Sequence, residues 1–274
     1  MSAEAGLVRA LARNRWIVGT CLALACVFAW SWLFWQARQM SQPATMSGMD
    51  GMSAMASMGP APGTIAYLTS AFVMWALMMV AMMLPSAAPM ILSYTRIAGD
   101  TRREAGALVP SIVFAGLYLT VWTAFSLVAA TAQSLLAQAG VISAAKLAIG
   151  NARLAGVFLI AAGLYQMTPI KRVCLSQCRA PASFLTREWR PGWGGSIRLG
   201  VLHGLYCLSC CWLLMALLFV GGVMNLAWVA LLAILVLAER ILPVGERGAL
   251  AIGGLAIAAG FAMLLAPDLM GFRS

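Results

Sequence analysis

One segment of the sequence, HGLYCLSCCWLLM at positions 203–215, carries the residue types that bind soft metal ions. Its histidine is the only one in the chain, and three cysteines and a methionine follow it at helical spacing. On an α-helix the histidine and the three cysteines fall within about 100° of arc. Imidazole, thiolate and thioether groups suit soft and borderline metals. The spacing therefore predicts a metal site formed by His203, Cys207, Cys210, Cys211 and Met215.

The sequence allows two other interpretations of this segment. Small cysteines also pack between helices, and a single buried histidine often serves only as a hydrogen-bonding core residue. A cysteine–histidine pair can also act in catalysis, but it needs a third group that orients the base. Because no Asp or Glu is placed nearby, we predict no catalytic residue.

A second set of soft donors lies in the segment VMWALMMVAMMLPSAAPM at 73–90. On a helix Met74, Met78 and Met82 form a stripe within roughly 80° of arc, and neighbouring methionines widen it. Thioethers can hold a soft cation without burying a fixed charge, but methionine also packs well in any apolar core. Pro85 and Pro89 are expected to kink or break this helix. The predicted metal ligands here are Met78, Met79, Met82 and Met83.

Methionine also recurs in the polar segment 36–64, which contains MSGMDGMSAMASMGPAPG. Thioethers select Cu(I), and unlike thiols they do not form disulfides in an oxidising compartment. A flexible Ser/Gly backbone would allow several of them to converge on one ion, although low-complexity drift is the alternative. The predicted ligands recur every three residues and are Met46, Met49, Met52, Met55 and Met58.

Two further cysteines, Cys174 and Cys178, lie four residues apart in CLSQCRAP, among basic residues. Nearby cations favour thiolate, so the pair is predicted to receive a metal ion. A redox or regulatory role and a purely structural role are the alternatives. The spacing is not that of a thioredoxin-like pair.

The composition indicates the class of protein. Hydrophobic residues make up 62% of the 274 positions and charged residues 9%, whereas a soluble domain has about 25% charged residues. A chain so poor in charge is expected to have lipid as its main solvent. The net charge of +10 does not indicate nucleic-acid binding, because the basic residues lie between apolar segments and form no continuous patch.

Seven apolar stretches are each long enough to be predicted as a membrane span. They cover residues 16–35, 65–93, 108–131, 152–169, 199–221, 223–243 and 248–267. If the N-terminus is cytoplasmic, most of the 18 Lys and Arg residues lie on the cytoplasmic side, in agreement with the positive-inside rule. We therefore predict an all-α polytopic transmembrane helix bundle in a bacterial inner membrane, with about seven spans and a cytoplasmic N-terminus.

The predicted organisation has three parts. Residues 1–35 form an N-terminal signal anchor and first span, and cleavage as a signal peptide is the alternative. Residues 36–64 form the methionine-rich loop outside the cytoplasm. Residues 65–274 form a six-span metal-binding core, which contains a cytoplasmic loop at 170–197 that carries the cysteine pair.

The cysteine segments belong to a longer series of motifs. The series consists of AMMLP at 81–85, Gly116, Tyr118 and Trp122, GLYQMTPIKRVCLSQCRAP at 163–181, HGLYCLSCCWLLM at 203–215, GGVMNLAW at 221–228, and Glu239 followed by a basic residue. On these motifs the chain resembles an uncharacterised bacterial family of predicted metal-binding integral membrane proteins. Ser209 departs from the family pattern, which usually has glycine there. The resemblance implies metal binding, but neither the metal nor an activity, and it leaves out the methionine-rich loop.

The leading hypothesis is that the chain binds a soft metal ion and transports or delivers it, with Cu(I) as the expected ion and Zn²⁺ as the alternative. A membrane oxidoreductase that uses copper or thiols is a second, less favoured hypothesis, because most copper redox centres use several imidazoles. A third is a non-transporting donor of metal to another membrane protein. The expected partners are the lipid bilayer, the metal ion, and a copper chaperone or a copper-requiring metalloenzyme, and they include no nucleic acid.

Overall fold

The computed structural model describes residues 2–41, 60–101, 108–143, 147–190, 192–242 and 245–266. In these ranges the chain is almost entirely helical, so the predicted all-α class is confirmed. The predicted ligands of the methionine-rich loop lie outside the described residues, and their role stays a prediction; they are Met46, Met49, Met52, Met55 and Met58.

The helices are numbered here in chain order. They are α1 (Ser2–Ser41), α2 (Ile65–Thr101), α3 (Leu108–Gln138), α4 (Ala152–Gln166), α5 (Pro169–Arg179), α6 (Pro181–Glu188), α7 (Gly192–Ala216), α8 (Leu218–Gly221), α9 (Leu226–Ile241) and α10 (Gly245–Leu265). Between α3 and α4 the two-residue strands β1 (Ile142–Ser143) and β2 (Ala148–Ile149) pair in an antiparallel hairpin.

Within the described ranges, five helical segments are long and apolar enough to cross a membrane. They are Asn14–Gln39, Ile65–Ala98, Leu108–Gln138, Gly192–Gly221 and Arg247–Leu265. Helices α4 and α5 would together make a sixth span, but they are bent by 65° at the break between them. Helix α9 has 16 residues and so rises about 24 Å, less than the roughly 30 Å of a hydrocarbon core. The long apolar helices fit a membrane protein, while the count of seven spans and their orientation stay predictions.

Helix α2 runs without a break through Pro85 and Pro89. A proline has no N–H, so Pro85 leaves the carbonyl of Ala81 without its usual helical partner. The indole Nε1 of Trp30 in α1 donates a hydrogen bond to this carbonyl at 3.2 Å. Contact with α1 therefore satisfies the group that the proline frees, and the helix continues.

The core of the bundle is formed where α3 packs against both α2 and α7. The predicted methionine ligands of α2 are all at most 1% exposed; they are Met78, Met79, Met82 and Met83. Their burial means that the methionine stripe faces protein and not the outer surface of the bundle. Helix α4 packs mainly against α10, and α1 packs against α2.

The predicted loop 170–197 is helical over most of its length, because its sequence contains two helix starts. Thr168 caps α5 by accepting a hydrogen bond from the Lys171 backbone N–H, with Pro169 in the first turn, and Pro181 occupies the same place in α6. In α5 the buried residues are Lys171, Leu175 and Cys178, which lie on one helix face. The bend at Thr168 turns this face toward α7 and α9.

Candidate metal centre

The predicted donors of α7 all lie on the buried face of that helix. His203, Cys207, Cys210, Cys211 and Met215 are each at most 1% exposed. Trp212, on another face of the same helix, is 43% exposed. Helical periodicity thus separates an inward face that carries imidazole and sulfur atoms from an outward apolar face.

Backbone hydrogen bonds orient two of the three thiols of α7. The Cys210 and Cys211 thiols both donate to the carbonyl of Cys207, at 3.1 and 3.0 Å between sulfur and oxygen. This bonding to the preceding helical turn orients both thiol groups toward their own helix. Among the described residues, no three His, Cys, Asp or Glu side chains are arranged to hold one metal ion.

A fourth cysteine reaches this face from another helix. The Cys178 thiol of α5 is 9% exposed and lies close enough to the Cys210 thiol of α7 for the two groups to interact. Cys174, one turn earlier in α5, is partly exposed and lies near Ser209. The structure therefore separates the predicted pair: Cys178 joins the thiols of α7, whereas Cys174 lies beside them.

Helix α2 contributes a thioether to the same group. The Sδ atom of Met83 lies 4.0 Å from the Sγ atom of Cys211. We call the five connected residues the sulfur cluster; they are Met83, Cys178, Cys207, Cys210 and Cys211. Three helices supply this cluster, which no single sequence segment contains.

Hydroxyl groups from α2 and α3 border the sulfur cluster. The Tyr118 hydroxyl lies 3.0 Å from the Cys207 sulfur and donates to the Met83 carbonyl at 3.2 Å. The Ser86 hydroxyl donates to the same carbonyl at 2.8 Å. Because these contacts are buried and specific, they fix the positions of Met83 and Cys207 relative to each other.

A buried guanidinium group lies directly against the sulfur cluster. Arg240 of α9 is 6% exposed. Its Nη2 atom is 2.8 Å from the Cys207 sulfur, 3.4 Å from that of Cys210 and 3.8 Å from that of Cys211. Its Nη1 atom donates to the Ser86 hydroxyl at 2.8 Å. A positive charge is thus placed next to the sulfurs that would carry negative charge with a bound metal.

The residue before Arg240 forms a separate buried ion pair. Glu239 Oε2 lies 2.7 Å from Lys171 Nζ, and Glu239 Oε1 accepts a hydrogen bond from Gln166 Nε2 at 2.7 Å. The Lys171 and Glu239 side chains are only 1% and 3% exposed. This pair ties α5 to α9 on the side of α5 that also carries Cys178.

His203 lies in an aromatic environment and not within hydrogen-bonding distance of the sulfurs. Its ring stacks with Tyr118 at a centroid distance of 5.3 Å and contacts Phe114 and Phe184 at 6.0 and 5.9 Å. Both of its ring nitrogens are buried and have no hydrogen-bond partner. Since buried polar groups are usually paired, the imidazole is available to an additional ligand.

Sequence reasoning missed the role of Arg240 and of the Lys171–Glu239 pair. The available signal was the position of Glu239 and Arg240 near the end of an apolar run, since charged residues are rarely placed there without a partner. Their partners could not be predicted from the sequence, because they are distant along the chain. Lys171 lies 68 residues before Glu239, and Cys207 lies 33 residues before Arg240.

The donors of the sulfur cluster are thiols and one thioether, and among the described residues no carboxylate is hydrogen-bonded to them. Sulfur donors in this combination suit a soft cation and not Mg²⁺ or Ca²⁺, which need oxygen ligands. The apolar surroundings exclude water, and each thiol that binds a metal must lose its proton. The chemistry available here is therefore binding and release of a soft metal ion.

The comparison with known families agrees with this chemistry. A family model described as PpoB2, copper chaperone, matches residues 72–263. The matched region contains the whole sulfur cluster, His203 and Arg240, and it leaves out residues 36–64. No curated protein and no solved structure matches the chain.

Proposed function

The chain belongs to the PpoB2 copper chaperone family, and we propose that it is a membrane protein that binds Cu(I) in the sulfur cluster and delivers it to a copper-requiring protein. The observation that carries this proposal is the buried contact between Cys178 of α5 and Cys210 of α7. It joins soft donors from separate helices at one point in the core.

Two thiolates are enough for Cu(I), because this ion accepts linear coordination by two soft ligands. Zn²⁺ in structural sites takes four ligands in a tetrahedron. In the described part of the chain, not even three His, Cys, Asp or Glu side chains are placed to bind one ion together. We therefore propose Cys178 and Cys210 as the primary pair, with Cys207, Cys211 and Met83 as neighbouring donors. The donor set supports Cu(I) over Zn²⁺.

The position of Cys178 on a short helix supports delivery. Helix α5 begins after the break at Thr168 and ends at Arg179, and only Ala180 separates it from the start of α6 at Pro181. Movement of α5 away from α7 would remove one of the two thiolates and leave the ion weakly held. Delivery would then follow when an acceptor protein supplies replacement ligands.

The remaining predicted donors fit a route to the cluster. We propose that the buried methionines of α2 pass the ion inward toward Met83, whose thioether contacts Cys211. His203, with two unpartnered ring nitrogens, and Met215 would assist on α7. The methionine-rich loop would capture copper outside a bacterial inner membrane, and Cys174 would take part in release. Copper transport across the membrane is the second candidate function, and the methionine stripe is the feature that favours it.

Serine substitutions test the proposed binding site. Cys210→Ser and Cys178→Ser should each weaken Cu(I) binding by about 100-fold or more, above the 10–100-fold typical of residues that only support a ligand. Competition with a Cu(I) chelator, on the full-length protein in detergent, measures this affinity. Cys174→Ser is the matched control, because it removes a thiol from the same helix outside the sulfur cluster, and it should change the affinity less than tenfold.

Equal losses in Cys174→Ser and Cys210→Ser would contradict the assignment of the primary pair. Failure of the unaltered protein to bind Cu(I) would overturn the proposed function itself.

A further inference from the structure

Arg240 has no carboxylate partner among the described residues, although it is buried. The neighbouring carboxylate of Glu239 is already shared by Lys171 and Gln166. The guanidinium instead contacts the Ser86 hydroxyl, the Cys207 carbonyl and the cysteine sulfurs. A buried charge without an opposite charge is strongly unfavourable, so the sulfurs are the groups that can neutralise it.

A charge balance follows from this arrangement. When two thiols bind a metal ion, they release two protons and contribute two negative charges. With a monovalent cation the metal–thiolate unit has one net negative charge, and the Arg240 guanidinium brings the total to zero. With a divalent cation the unit is neutral, and the guanidinium leaves one positive charge in the apolar interior.

We propose that Arg240 is a specificity-determining residue, which makes the sulfur cluster select a monovalent soft cation over a divalent one. This inference rests on the proposed function, since it assumes that the cluster binds metal through two thiolates. Arg240 acts from outside the coordination shell: Nη2 bonds the sulfurs while Nη1 is held by Ser86. The low polarity of the site strengthens the effect, because charges interact more strongly where water is excluded.

The other possible role for Arg240 is that of a placeholder, which a metal ion would displace. The structure disfavours this role because the neighbouring carboxylate, that of Glu239, is already bonded to Lys171 and Gln166. Its Nε atom already lacks a hydrogen-bond partner. Displacement would therefore leave the guanidinium buried and uncompensated, whereas staying next to the metal–thiolate unit keeps the charges paired.

Substitution of Arg240 by a neutral residue of similar length tests the inference. The probes are Ag(I), a monovalent soft ion that is stable to oxidation, and Zn²⁺, with affinities measured by chelator competition on the full-length protein in detergent. Arg240→Met should weaken Ag(I) binding and should lower the ratio of Ag(I) to Zn²⁺ affinity by about tenfold or more, because it removes a charge from a buried site. Arg240→Lys should retain the ratio within a few-fold.

The control variant is Arg187→Met, which removes a positive charge from an exposed position and should leave both affinities unchanged. If Arg240→Met weakened Ag(I) and Zn²⁺ binding to the same extent, so that the ratio of the two affinities did not change, Arg240 would only support the fold. Tighter Ag(I) binding by Arg240→Met would show that it is a placeholder. Either result would overturn the inference without affecting the proposed function, whereas absence of Ag(I) binding by the unaltered protein would overturn both. Arg240→Lys keeps the test valid if Arg240→Met does not fold.

Discussion

Buried charges are the residue-scale feature that distinguishes this centre from an ordinary apolar helix bundle. Lys171 and Glu239 form an ion pair that is almost fully buried, and Arg240 lies beside it against the cysteine sulfurs. A buried pair often adds little to stability compared with apolar residues, but removal of one partner leaves an uncompensated charge. The ion pair therefore makes the position of α5 sensitive to single substitutions.

Glu239→Gln should destabilise the fold by about 3–5 kcal/mol, because it leaves the Lys171 ammonium group buried without a counter-charge. The midpoint of unfolding in detergent measures the effect. The double variant Lys171→Met with Glu239→Gln should recover a large part of the loss, since it removes both charges.

The control for this prediction is the pair between Arg198 and Glu188, in which the Arg198 side chain is 38% exposed. Arg198→Met should change stability by less than about 1 kcal/mol, because solvent screens the charges of an exposed pair. If Glu239→Gln were no more destabilising than Arg198→Met, the buried pair would have no structural role.

At the scale of single residues, the sequence predicted the buried face of α7 but not its partners. His203 and Cys207 share that face because their spacing follows the helical period. The contact between Cys178 and Cys210 depends on a bend at Thr168 and on the docking of α5, so local periodicity does not predict it. The aromatic surroundings of His203 likewise come from α3 and α6, which supply Phe114 and Phe184.

At the scale of elements, close glycine contacts position α4 and hence the helix that carries Cys178. A Cβ atom at Gly163 would lie 2.6 Å from the Gly253 carbonyl, and one at Gly156 would lie 2.7 Å from the Gly260 carbonyl. Small residues allow two helix backbones to approach closely in this way. Helix α5 follows α4 after the bend, so the docking of α4 on α10 sets where α5 begins.

Gly163→Ala should destabilise the protein by about 1–3 kcal/mol, because the added methyl group must push the two backbones apart. Thermal unfolding in detergent, followed by circular dichroism, measures the change. Gly254→Ala is the control in α10, since a Cβ atom there meets no atom within 4 Å, and it should be neutral or stabilising by up to about 1 kcal/mol. Similar results for the two variants would contradict the close packing of α4 and α10.

Element boundaries were predictable where an apolar run was long and uninterrupted. The runs at 65–93 and 108–131 correspond to α2 and α3, which extend further at their C-terminal ends. The segment 170–197 was harder, because its polar residues and prolines are typical of a loop. Its helices form because Pro169 and Pro181 are placed at helix starts, where the absence of an N–H costs nothing.

At the scale of the whole molecule, apolar side chains cover the outside and the polar chemistry lies inside. Large hydrophobic residues such as Phe28, Ile112 and Leu255 are more than 60% exposed on three different helices. Exposed apolar surface of this extent fits a membrane protein. The thiols, the imidazole and the charged pair are enclosed by the same helices, so the bundle resembles a membrane protein built around a soft-donor interior.

The whole-molecule arrangement favours a chaperone that holds copper away from water. A metal held between α5 and α7 would be shielded from oxidants and from competing ligands. In the proposed function, it would be released when these two helices separate or an acceptor protein reaches them. The region matched by the copper chaperone family, residues 72–263, contains both helices and the groups that support them.

X-ray absorption at the copper edge, on the Cu(I)-loaded full-length protein in detergent, tests the central claim most directly. The sulfur cluster predicts a first coordination shell of sulfur atoms alone, with a low coordination number typical of two thiolates. This signal should be lost in the double variant Cys178→Ser with Cys210→Ser and kept in Cys174→Ser. A shell dominated by nitrogen or oxygen would contradict the claim that the sulfur cluster binds the copper, and a sulfur shell that persists unchanged in the double variant would contradict the claim that Cys178 and Cys210 are its primary ligands.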